Sequence, residues 1–188
     1  MFFRRRHEQP SDEEPSDEEQ GEWLPYRTAQ PVPPVGGLAA IRIYTQHDLV
    51  IDGWTRVGSQ RLSDVLNGED ALSVSRVAED PTDEDWQAID RDEMMLVVAP
   101  PHSSPRQLRV HRQKREMTAR SDHYAIEGTV HLLPGNALDR MVLRTRQHFL
   151  PITDAVVETA AAPGETSWHE TVLLNIVNVG EELVLTVI

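Results

Sequence analysis

The chain has 188 residues, 39% of them hydrophobic and 5% aromatic, and its 31 acidic and 18 basic side chains leave a net charge of -13. That length suits one ordinary domain or two small ones, and a surface of that sign repels phosphate backbones and anionic headgroups. Cysteine is absent, which excludes disulfides, thiol nucleophiles and thiolate metal ligands and fits a reducing compartment, with cytoplasm as the expected location.

The opening "MFFRRRHEQPSDEEPSDEEQ" has at Arg4, Arg5 and Arg6 the positive charge of a secretory signal but lacks the apolar core that would follow it. No window approaches the roughly 18 apolar residues of a membrane span, so no stable membrane insertion is expected. Residues 1–36 are predicted to be a disordered acidic tail, because "SDEEPSDEE" repels itself and has nothing apolar to bury. "PVPPVGG" then supplies a stiff spacer. The tail is either a docking segment for a basic partner or a solubilising extension. Ser11 and Ser16, each followed by acids, are sites at which an acid-directed kinase would add phosphate.

Residues 37–100 are predicted to be a first β-rich unit. Ile41 and Ile43, then Leu49 and Ile51, alternate as in a hairpin. "RLSDVLN" places Leu62, Val65 and Leu66 at helical spacing, with Asn67-Gly68 as the stop. "ALSVSRV" returns to alternation, and "WQAID" and "EMMLVVAP" read as two strands joined by a tight turn. Residues 101–116 form a basic linker in which Arg106, Arg109, Arg112, Lys114 and Arg115 face a single acid. These five are the anion-binding candidates. Neutralising the acidic tail is the alternative use of their charge. No aromatic residue is interleaved to stack bases, so a nucleic-acid partner is not favoured.

Residues 117–188 repeat the same order of elements. Ile51 and Gly53 lie over Ile126 and Gly128, Leu62 over Leu138, Leu72 over Leu150, Val74 over Ile152, and Leu96 over Val184. Correspondences in one order point to an internal duplication. The expected fold is therefore mostly β: two tandem curled-sheet or small β-barrel repeats, each with one short helix, SH3-like or Sm-like as the nearest type.

Catalytic signatures are missing. Neither G-x-S-x-G nor a phosphate-binding glycine loop occurs, and Ser59 in "VGSQR" lacks the setting of a nucleophile elbow. His123, His131, His148 and His169 are the residues from which a metal site would be drawn, yet no H-x-x-x-H or H-E-x-x-H spacing joins any of them. No metal, cofactor or enzymatic activity is expected. Trp54, Trp86 and Trp168 are candidate interface anchors, each with a core-capping role as the alternative. Arg76 and Asp154 occupy matching positions with opposite charge and join them as candidates for a complementary interface.

The runs "IEGTVHL" with Pro134-Gly135 and "FLPITDA" resemble a family of short bacterial β-rich domains over residues 117–188. The first unit departs from that pattern, with Trp54 and Arg56 where Thr129 and His131 stand. The resemblance implies a small β-rich domain and no particular activity. The functional expectation is a protein-interaction or assembly subunit with a protein partner, and self-association is compatible with it. The alternative is a regulatory module binding an anionic ligand or nucleic acid through the basic linker and the cleft between repeats.

Overall fold

The computed structural model of the chain describes residues 26–27, 37–77, 81–100, 112–132, 147–160 and 162–178. The strands are β1 (Tyr26–Arg27), β2 (Leu38–Thr45), β3 (Val50–Arg56), β4 (Ala71–Ser75), β5 (Trp86–Asp90), β6 (Met94–Val98), β7 (Gln113–Arg120), β8 (Tyr124–Leu132), β9 (Phe149–Thr159) and β10 (Thr166–Asn175). One helix, α1 (Leu62–Gly68), and short 3-10 turns at Asp83–Asp85 and Arg91–Glu93 complete the described elements.

Alternation builds the hairpin of β2 and β3. Ala39, Ile41 and Ile43 are buried on one face, while Arg42 on the other forms a two-pronged ion pair with Asp52 at 2.6 and 2.9 Å. In α1, Leu62 and Leu66 lie one turn apart and are both buried, and its last turn closes through Glu69 N–H donating to Val65 O. The Arg91–Glu93 turn links β5 to β6, as the sequence leads one to expect. Residues 113–116, read as the end of the basic linker, belong to β7, while residues 101–111 lie outside the described residues. Tyr26 and Arg27, within the segment read as tail, pair in parallel with Ser167 and Trp168.

The expectation of two tandem repeats, closed or curled like small barrels, is overturned. Nine strands form one antiparallel sheet in the order β5-β4-β3-β2-β6-β10-β9-β8-β7, with β1 attached to β10. The decisive contact is β6 against β10, where Val98, Val97 and Leu96 stand opposite Val172, Leu173 and Leu174. No pairing among the described residues joins β5 to β7, so the sheet is not a closed barrel.

The cores do not divide at the proposed boundary either. Val97 packs in one cluster with Ile43, Leu62 and Leu66, and that cluster takes Phe149 and Leu173 from the other end of the chain. Leu96 and Val98 pack in a second cluster with Met117, Val130 and Ile152, which takes Tyr44 from β2. Strand neighbours point to opposite faces, so β6 is covered on both sides, and all five of its residues are buried. A strand apolar at every position must be sandwiched in this way. The two cores therefore belong to the two faces of one sheet at β6.

Candidate docking face on β7, β8 and β9

The pairing register sets the outer face of the last three strands. Lys114, Glu116 and Thr118 of β7 stand opposite His131, Thr129 and Glu127 of β8. Their neighbours Met117, Ala119, Ile126 and Val130 are buried in the core. Sequence alternation in β7 and β8 thus separates a polar face from an apolar one.

A bulge in β9 shapes that face. Thr129 pairs with Thr153 and Glu127 with Val156, so Asp154 and Ala155 both fall opposite Gly128. Asp154 takes a left-handed backbone at φ 52°, which aspartate tolerates better than most residues. Gly128 makes the close approach possible. A Cβ there would sit 2.6 Å from Ile152 Cγ2 and 3.0 Å from Thr153 O. Beside the bulge lies an open groove of about 430 Å³, with Glu116, Glu127 and Asp154 along it and Thr118, Thr129 and Val156 between them.

His131 marks the other end of the face. Its Nε2 lies 2.9 Å from Thr153 Oγ1, whose hydroxyl donates to Thr129 O at 3.3 Å. Burial lowers the His131 pKa, and the charges of Lys114 and Arg112 lower it further against an opposing pull from Asp154. The ring is neutral at neutral pH. The face therefore runs from cationic, at Arg112 and Lys114, to anionic at Glu116, Glu127 and Asp154.

Other residues singled out in the sequence are dispersed. Trp54, Ser75 and Trp86 form one cross-strand row on β3, β4 and β5, with both indoles half-buried. The Arg56 guanidinium stacks 4.2 Å from the Trp86 ring centre. Trp168 is half-buried on β10, several strands away. Arg76 is exposed just past β4 and makes no ion pair with Asp154. Of the anion-binding candidates, Arg106 and Arg109 lie outside the described residues, whereas Arg112, Lys114 and Arg115 gather at the start of β7.

The histidines are also apart. His123 Nδ1 is 3.0 Å from Asp48 Oδ1, His148 lies just before β9, and His169 is buried on β10 with Nε2 3.0 Å from Ser167 Oγ. Among the described residues no group of three His, Asp or Glu side chains is placed to hold a metal ion. Also among them, no helix is long and apolar enough to cross a membrane.

Glu116 and Glu127 are the groove residues that sequence reasoning missed. Each reads alone as an ordinary solvent-facing strand position. Only the β7–β8 register and the bulge at Asp154 bring the three carboxylates onto one groove. Searches against protein-family models, curated proteins and solved structures find no match to this chain.

Proposed function

We propose that this protein is a non-enzymatic docking subunit that holds a positively charged, extended segment of a protein partner against the β7–β9 face. The observation that carries the reading is the open groove in which the Asp154 bulge joins Glu116 and Glu127. Solvated carboxylates each contribute little alone, typically under about 1 kcal/mol per pair. Their value is in selecting a cationic segment and speeding encounter, which the net charge of -13 also favours. Thr118, Thr129 and Val156 supply the uncharged surface between them on which an extended chain would rest.

The test is fluorescence anisotropy with a labelled octalysine probe, an octaglutamate probe and a single-stranded oligonucleotide. Octalysine is expected to bind the full chain, and Glu116→Gln, Glu127→Gln and Asp154→Asn together should weaken it at least about tenfold. Unchanged octalysine binding by that variant would remove the groove from the account. Oligonucleotide binding abolished by Arg112→Ser and Arg115→Ser would replace it with the anionic-ligand alternative.

A further inference from the structure

Among the described residues the sheet ends in two strands that each have one unpaired side, β5 and β7. Their charges are opposite. Residues 83–93 hold six acidic side chains and one arginine, whereas residues 112–120 hold four cations and one glutamate. Asp83, Glu84 and Asp90 are exposed around β5, and Arg112, Lys114 and Arg120 are exposed along β7. None of these six forms an ion pair with another described residue. Asp85 is engaged locally, its carboxylate accepting from Thr82 N and Oγ1 at 2.8 Å each.

An unpaired strand edge is a template for another strand, and native edges are usually blocked by lysine, proline or a bulge. The segment Trp86–Asp90 contains no lysine or proline, and its pairing with β4 runs through all five residues without a register shift. β7 contains no proline and pairs with β8 regularly over eight residues, and its Lys114 guards the edge against strands other than an acidic one. Within one chain seven strands separate the two edges. Two copies can bring them together.

We propose that copies of this chain associate head to tail, the acidic β5 edge of one meeting the basic β7 edge of the next. The contact extends the sheet by backbone pairing, with Asp83, Glu84 and Asp90 facing the cations of β7. Because the two surfaces differ, an open assembly keeps one free edge of each kind at its ends, so it either closes into a ring or grows as a filament. The net charge of -13 opposes association at long range, but at about 0.15 M salt charges beyond roughly 8 Å are screened and the local match decides. This contact uses the open edge of β7, whereas the groove lies on the outer face of β7, β8 and β9, and neither requires the other.

Sedimentation velocity of the full chain at about 0.15 M salt tests it with two charge-reversed variants. One carries Asp83→Lys, Glu84→Lys and Asp90→Lys; the other carries Arg112→Glu, Lys114→Glu and Arg120→Glu. The native chain is expected to assemble and each variant to sediment as a monomer with unchanged circular dichroism. An equimolar mixture of the two should reassemble, since each reversed edge then faces its complement. Lys114 is the one lysine in the chain, so zero-length carbodiimide cross-linking of an isotope-mixed sample should join it to Asp83 or Glu84 of another copy. A native chain that stays monomeric, or variants that assemble like it, would overturn the proposal. So would cross-links from Lys114 confined to residues 179–188 of its own chain, which would mean that the chain covers its own β7 edge.

Discussion

Asn67 and Phe149 are joined as if they were strand neighbours. Asn67 Oδ1 accepts from Phe149 N at 2.9 Å, and its Nδ2 donates to Phe149 O at 3.2 Å. The same Oδ1 also accepts from His148 N at 2.7 Å, and the Nδ2 donates to Ser63 O at 2.7 Å. One amide therefore fastens α1 to the start of β9, 82 residues away. Asn67→Ala removes the side-chain partners of His148 N and of Phe149 N and O, and each unsatisfied buried group costs about 1–3 kcal/mol. The expected loss is about 2–3 kcal/mol in urea unfolding with an unchanged m-value. A loss under about 0.5 kcal/mol would mean that water replaces the amide.

Gly53 and Gly128 are held by close contacts. A Cβ on Gly53 would lie 2.6 Å from Val74 Cγ1 and 2.7 Å from Ser75 O, and one on Gly128 meets Ile152 and Thr153 almost as closely. Gly53→Ala and Gly128→Ala should each destabilise by about 1–3 kcal/mol, the usual cost of overpacking. Gly68→Ala is the control, because a Cβ there meets nothing within 4 Å and alanine favours the helix. Thermal melts of the three variants should therefore separate, with two falling and the control level or rising.

The local elements are legible because alternation and helical spacing are local. Ile41 and Ile43, Leu62 and Leu66, and Leu72 and Val74 each place their strand or helix without knowledge of the rest. What β6 joins is not local. "MMLVV" is apolar at every residue, the pattern of a strand covered on both faces. Read as the end of a separate unit, it has no second neighbour to find. Its pairing with β10 merges the two halves and routes Phe149 and Leu173 into the core beneath α1. The carboxylate groove was hidden for a related reason. Glu116, Glu127 and Asp154 are distant in sequence, and only the β7–β8–β9 register makes them neighbours.

Burial lowers the His169 pKa to about 4, with the charge of Arg42 adding to the effect. The unfolded side chain titrates near 6.5. Between these values the unfolded state binds the extra proton, so stability is full above about pH 6.5 and falls as pH drops toward 4. The difference between 6.5 and about 4 corresponds to on the order of 3 kcal/mol. His169→Gln should flatten the difference between unfolding free energies measured at pH 7.5 and pH 4.5. An unchanged difference would show that His169 is not buried as neutral imidazole.

Tyr124 ties the β7–β8 turn to the end of β2. Its hydroxyl donates to Thr45 O at 2.9 Å, and its ring meets Tyr44 edge-on with centroids 5.5 Å apart. Burial, reinforced by the charge of Asp48, pushes the phenol up to about 12. The folded state thus holds its proton where the unfolded state has lost it, and stability declines from about pH 10 to pH 12. Ultraviolet titration should show a tyrosine ionising only near pH 12, and Tyr124→Phe should remove that step and cost about 1 kcal/mol. A variant that leaves the late step in place would assign it to another tyrosine.

The continuous sheet rests on β6 lying beside β10. Backbone nuclear Overhauser contacts in isotope-labelled protein test this directly. Cross-peaks are expected between Leu96 and Leu174 and between Val97 and Leu173, together with those joining Val97 to Ile43 on the other side of β6. Contacts from β6 to β2 with none to β10, and separate unfolding of residues 37–100 and 117–188, would contradict the single sheet.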